Sequence, residues 1–215
     1  MEEIINKRLT FLSLDALTNL KNNIEKTKDV EGNIIETGCA LGGSAICMAL
    51  YKKKDKEFNI YDVFGMIPPP TVKDDTDVRH RYNIIRTGRS KGIGNDVYYG
   101  YHENLLEEVI NNFNDFNIEP QKNNIKFIKG LYRETLLVNQ PVSFAHIDCD
   151  FYDPVMNSLE QIIPNLSVGG IITIDDYYCW SGARKATDEY FKFLNKKDFK
   201  FETVAGKLNI ERLSK

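Results

Sequence analysis

Five short apolar runs, at residues 33–37, 58–63, 125–128, 143–148 and 170–175, alternate with segments of helical spacing, and this alternation constrains the fold most. Each run has the length of a buried strand, and near-continuous apolar character marks strands covered on both faces. The spacing between them predicts helices over 44–54, about 103–116, 133–137 and 153–163, with another over 183–194 after the fifth run. Such alternation predicts a doubly wound α/β sheet. Ahead of it, Phe11, Leu12, Leu14, Leu17, Leu20 and Ile24 predict a leading helix. The ending differs: residues 199–204 and 207–213 alternate side chains about Ala205-Gly206, as a β-hairpin would. The expectation is a mostly parallel, seven-stranded sheet with a C-terminal antiparallel hairpin. At 215 residues, one domain is expected.

Residues 65–101 do not fit the alternation. Three consecutive prolines, Pro68-Pro69-Pro70, precede a charged stretch and then Gly88, Gly92, Gly94 and Gly100. Long irregular insertions in compact domains are usually functional or disordered. With Tyr82, Tyr98, Tyr99 and Tyr101 this one is aromatic for a linker, so a lid over an acceptor site is expected.

The bulk properties exclude several function classes. A formal charge of −3 provides no basic footprint for nucleic acid. Lys52-Lys53-Lys54 is read as a solvated helix end, not as a patch. Cys39, Cys47, Cys149 and Cys179 form no CxxC pair and are expected to be reduced thiols. No apolar stretch approaches the length of a membrane span and the start, Met-Glu-Glu, lacks a basic region. A cytoplasmic protein with no membrane partner is expected.

Between the first strand and its helix runs Glu36-Thr37-Gly38-Cys39-Ala40-Leu41-Gly42-Gly43-Ser44. Glycines let a ligand approach the backbone, but neither the Gly-Lys-Ser/Thr of a phosphate loop nor the GxGxxG of a dinucleotide site is present. Glu36 would repel a diphosphate and suits a ligand bearing an amine and a sulfonium, as S-adenosylmethionine does. A tight strand-to-helix turn without a ligand would use the same glycines. Asp62, at the end of the second run, is the candidate for the ribose hydroxyls, although an acid there also begins turns. The fourth run ends in His146-Ile147-Asp148-Cys149-Asp150 and the fifth in Asp175-Asp176. Both sets fall at the carboxyl edge of the sheet, where such folds place ligands. Four acids there would repel one another, and a divalent cation is the simplest resolution. Oxygen-only donors favour Mg²⁺, with Mn²⁺ as a substitute, over Zn²⁺. Singly, any of the four would serve as a helix cap.

Glu36-Thr37-Gly38 with Gly42-Gly43, residues 61–66 with their prolines, residues 127–130, residues 146–152, and Gly169-Gly170 leading to Asp175-Asp176-Tyr177 and Gly182-Ala183 together resemble one family. It is the TylF-type macrocin and aminocoumarin sugar O-methyltransferases, and the likeness runs from about residue 34 to 191. The resemblance implies the Rossmann-like class I methyltransferase fold and S-adenosylmethionine at Glu36, Thr37, Gly38, Gly42, Gly43, Ser44 and Asp62. It also implies Mg²⁺ on Asp148, Asp175 and Asp176, with Asp150 as general base. The acceptor would be a small hydroxylated molecule, a sugar or glycosylated natural product, and the enzyme a homo-oligomer, a dimer by analogy. The region 74–101 matches the family poorly, which leaves the acceptor open. A catechol-type enzyme acting on a non-sugar diol, or a non-catalytic binding protein on the same fold, are the alternatives. His146 is read as a structural histidine, His102 as a helix-start residue, and Trp180 with Tyr177-Tyr178 as rim aromatics.

Overall fold

A computed structural model describes residues 1–214. Strands β1 (Asn33–Thr37), β2 (Phe58–Asp62), β3 (Ile125–Lys129), β4 (Val142–Ile147) and β5 (Leu166–Ile174) run parallel. A hairpin of β6 (Phe199–Val204) and β7 (Lys207–Arg212) adds antiparallel to β5, giving the order β3-β2-β1-β4-β5-β7-β6. Ala205 and Gly206 both take left-handed backbone (φ 51° and 75°), the two-residue turn whose twist matches that of paired strands.

Helices cover both faces. α2 (Leu14–Lys26), α3 (Gly43–Tyr51) and α5 (Leu105–Asp115) pack on one side against Ile34, Phe58, Ile60, Phe144 and Ile171. α7 (Tyr152–Ile162) and α8 (Ser181–Phe191) pack on the other against Ile35, Ala145, Ile147, Ile172 and Ile174. Neighbouring residues of one strand thus go to opposite cores, which is why the strands read as unbroken apolar runs. Each such fully buried side chain contributes about 1.5–3 kcal/mol of transfer free energy. The remaining helices are α1 (Glu2–Asn6), α4 (Thr76–Arg86) and α6 (Tyr132–Thr135).

Several elements depart from expectation. The leading helix begins at Leu14, not Phe11, because the Ser13 side chain accepts from the Ala16 amide and caps it there. The irregular insert contains the three-turn α4, whose buried residues are only Val78 and Ile85, one stripe too narrow to stand out in a polar stretch. Lys52 is also no solvated residue: it is buried, and its ammonium donates to the carbonyls of Lys53, Lys54 and Lys56. The strand order reverses between β1 and β4, so their carboxyl ends part there and open a crevice.

Candidate active site

That crevice is a cavity of about 720 Å³. Its floor is the carboxyl edge of the sheet: Gly38, Cys39, Ala40, Leu41 and Ser44 after β1, Asp62 after β2, Asp148–Asp150 after β4 and Asp175-Asp176 after β5 all line it. Three non-glycine residues just beyond the strand ends, Ala40 and Asp150 on this rim and Phe64 buried behind it, hold left-handed backbone (φ 46°, 55° and 46°). Such conformations persist only where the surroundings impose them.

The glycine loop is built by packing. A Cβ on Gly38 would lie 1.7 Å from the Asp148 carbonyl oxygen, so glycine lets the loops after β1 and β4 touch. A Cβ on Gly43 would lie 2.4 Å from the Leu9 carbonyl oxygen, which accepts from the Gly43 amide and brings residues 9–12 onto the cavity. Asp62 braces the loop: one oxygen accepts from the amides of Cys39 (2.6 Å) and Ala40 (3.3 Å), the other from that of Phe64 (2.7 Å). Burial raises its pKa against these amides. Of the residues expected at S-adenosylmethionine, Gly38, Ser44 and Asp62 line the cavity, whereas Glu36, Thr37, Gly42 and Gly43 are not among its walls. Thr37 is turned to Ser158 and Cys149, and Glu36 lies fully buried beneath the loop.

Glu36 opens a line of buried charge that the sequence did not show. It meets Nδ1 of His146 at 2.9 Å; Nε2 of His146 faces Asp175 at 3.4 Å; and the other Asp175 oxygen accepts from Lys207 Nζ at 2.5 Å. Burial disfavours the His146 cation, but hydrogen bonds to Asp175 and Glu36 outweigh it and carry its pKa to about 10. Burial alone would raise Asp175 too, yet His146 and Lys207 hold it below the usual carboxylate range. His146 is thus a buried histidine hydrogen-bonded between two carboxylates.

Carboxylate oxygens of Asp148, Asp150 and Asp176 come within 4.8 Å of one another. Burial raises all three, and repulsion from neighbouring aspartates, Asp175 among them, adds to it, with Asp176 going well above the ordinary range. One oxygen of Asp176 is buried without a hydrogen-bond partner among the described residues. An oxygen-rich, charge-excess cluster with an orphaned buried oxygen fits a hard divalent cation, and beside it His146, Asp148 and Asp175 form a second group whose ligand atoms also lie within 4.8 Å of one another.

The opposite wall comes from afar. Ile67, Pro68-Pro69-Pro70, Thr71, Asp74, Arg81, Tyr98 and Tyr99 of the insert line the cavity, as do Tyr132 and Trp180. Tyr177 and Tyr178 do not; their hydroxyls engage Asp188 and Thr203. His102 pairs with Glu108 of α5, outside the cavity. Arg81 and Lys207 are the residues sequence reasoning missed, since each reaches the site from an element with no motif of its own.

A seven-stranded sheet of this order, with a non-phosphate glycine loop and a strand-end acid over one crevice, defines a class I methyltransferase. Solved structures share the fold: the O-methyltransferase NovP matches with a TM-score of 0.78 at 24% identity, over 96% of this chain and 83% of that one. The calicheamicin methyltransferase CalS11 matches with 0.66 at 19% identity, over 98% and 84%. Residues 7–200 match the model of the Macrocin-O-methyltransferase (TylF) family, and the chain belongs to that family of S-adenosylmethionine-dependent O-methyltransferases. Its relatives include a demethyldecarbamoylnovobiocin O-methyltransferase of Streptomyces niveus, 24% identical over 84% of this chain and 67% of the relative. Another is a mycinamicin III 3''-O-methyltransferase of Micromonospora griseorubida, 25% identical over 84% and 69%. The chain therefore spans about two thirds of their length. Among the described residues, no helix is long and apolar enough to cross a membrane.

Proposed function

We propose that the chain methylates a hydroxyl of a sugar, free or within a glycosylated natural product, in a Mg²⁺-dependent reaction. The observation that carries this is the gathering of Asp148, Asp150 and Asp176 beside the glycine loop in one cavity. The name of another relative, an 8-demethyl-8-(2,3-dimethoxy-alpha-L-rhamnosyl)-tetracenomycin-C 4'-O-methyltransferase of Streptomyces olivaceus, specifies a rhamnosyl-bearing substrate and supports the acceptor class. Asp148, Asp175 and Asp176 are the proposed ligands. A carboxylate offers about four acceptor sites, so Asp175 can keep His146 and Lys207 and still hold an ion. When bound, Mg²⁺ would supply the charge that acidifies the acceptor hydroxyl and fixes two neighbouring oxygens.

The chain's own residues do the rest. Gly38, Ser44 and Asp62 face the S-adenosylmethionine half of the cavity, and the insert, as a lid over 65–101, walls the acceptor half. Asp150 takes the hydroxyl proton as the oxygen attacks the sulfonium methyl and the carbon–sulfur bond breaks, leaving S-adenosylhomocysteine. A general base contributes about 10²–10⁴-fold, so Asp150→Asn is expected to lose that much turnover while Mg²⁺ still binds by calorimetry. Asp148→Asn and Asp176→Asn are expected to abolish Mg²⁺ binding and leave S-adenosylhomocysteine binding in place. A second reading, in which Asp150 is the third ligand, is favoured by its closeness to Asp148 and Asp176. Loss of Mg²⁺ binding in Asp150→Asn would select it. S-adenosylhomocysteine release with catechols but not with rhamnosides would overturn the sugar assignment. The dimer is proposed by family analogy, and light scattering in solution tests it.

A further inference from the structure

Helices α7 and α8 leave the two acidic loops, and neither caps its own N-terminus. Their N-cap residues are Phe151 and Trp180, aromatic walls of the cavity that make no side-chain cap hydrogen bond. A helix end with such a residue leaves amides without a partner. At each end the first helical amide is met from the insert instead. Asp74, 4% exposed, accepts from the Tyr152 amide at 2.8 Å with one oxygen and from the Thr71 amide at 2.8 Å with the other. Asp77, in the first turn of α4, accepts from the Ser181 amide at 3.0 Å and the Ser181 hydroxyl at 2.5 Å. Pro154 removes another donor from the first turn of α7, so Asp74 takes a large share of what that end needs.

The fit around Asp74 is close. A Cβ on Gly182, second residue of α8, would come within 2.7 Å of both the Asp74 oxygen and the Tyr152 amide nitrogen. α8 therefore closes over the bond between the insert and α7. Lys185 of α8 adds a hydrogen bond to the Lys73 carbonyl at 2.9 Å.

We infer that Asp74 and Asp77 are positioning residues: by capping α7 and α8 in place of those helices' own N-cap residues, the insert sets the loops 148–151 and 176–180 that carry the acidic cluster. The acceptor wall and the acidic cluster are then assembled together, and N-cap positions are released to present aromatic surface to the cavity. The claim rests on the reading of that cluster as the reaction centre only for its catalytic consequence; the mechanical link stands on the hydrogen bonds alone.

The test compares wild type with Asp77→Ala and Asp74→Asn, using amide hydrogen exchange and Mn²⁺ binding followed by electron paramagnetic resonance. Asp77 is exposed, so its loss leaves the core intact. Losing a cap shifts local opening by about 5-fold. Exchange is expected to quicken by about that factor in segment 176–183 for Asp77→Ala and in 148–155 for Asp74→Asn. Mn²⁺ affinity is expected to fall by a similar factor or more, while S-adenosylhomocysteine affinity stays within about twofold, since the glycine loop is braced by Asp62 instead. Faster exchange confined to 65–101, with both acidic loops unchanged, would overturn the inference. So would an equal loss of S-adenosylhomocysteine affinity, the mark of general destabilisation. If wild type binds no Mn²⁺, the metal assignment falls and the exchange result alone decides the positioning role.

Discussion

Gly38 shows how a residue chosen by packing can look like one chosen by a ligand. Next to a strand end, a glycine predicts a close approach, and the structure supplies one; the approaching group is the Asp148 carbonyl. Gly38→Ala forces that carbonyl away and also places alanine at φ 94°. We expect a loss of about 3 kcal/mol or more in denaturant unfolding, together with weakened Mg²⁺ binding, because the displaced loop is the one carrying Asp148 and Asp150. A change below about 1 kcal/mol would show that the loop yields. At this scale the acids were legible: each follows an apolar run and therefore sits at a strand end. Glu36 was read as an acid facing the cofactor and not as the buried partner of His146, because two side chains from different strands meet without any sequence sign. Lys207 and Arg81 were not legible at all. Each is an ordinary cation until the fold carries it to the cavity.

Among the elements, the strands were read within a residue or so at most ends, because burial on both faces writes a run that loops do not imitate. β5 is the exception: it begins at Leu166, four residues ahead of the expected start at 170, because Ser167 and Gly169 interrupt the apolar run. α4 was missed for want of a stripe. α2 is fastened to the sheet by a buried amide network in which the Asn209 carbonyl oxygen accepts from Thr173 (2.8 Å), Asn23 (3.1 Å) and Asn19 (3.2 Å). The end of α3 is fastened differently, by Lys52. Burial lowers its pKa to about 8, with Asp55 opposing. The folded state therefore binds its proton less tightly than the unfolded chain, whose ordinary value is 10.5. Folding is disfavoured by this group while it is charged, below about 8, and that penalty fades as pH rises toward the unfolded value. Wild type should accordingly gain stability relative to Lys52→Met between pH 7.5 and 10, read as the difference in Tm; a pH-independent difference would remove the effect.

For the whole molecule, the floor of the site comes from the sheet and the roof from the insert, with residues 9–12 completing the rim. A ligand bound across these parts holds the folded state by mass action. S-adenosylhomocysteine at 100 times its Kd should add about 2.7 kcal/mol, which for a domain of this size is about 5–10 °C in Tm. Adding Mg²⁺ should raise it further, and that second increment should vanish in Asp176→Asn. An unchanged Tm with saturating S-adenosylhomocysteine would contradict a folded cofactor site.

The sheet has two unpaired margins, β3 and β6. Lys126 and Lys129 stand along the first, Lys200 and Glu202 along the second. A strand arriving from another molecule would have to strip water from these charges before it could bond to the backbone beside them. The molecule is thereby guarded against growing edge to edge into a continuous sheet.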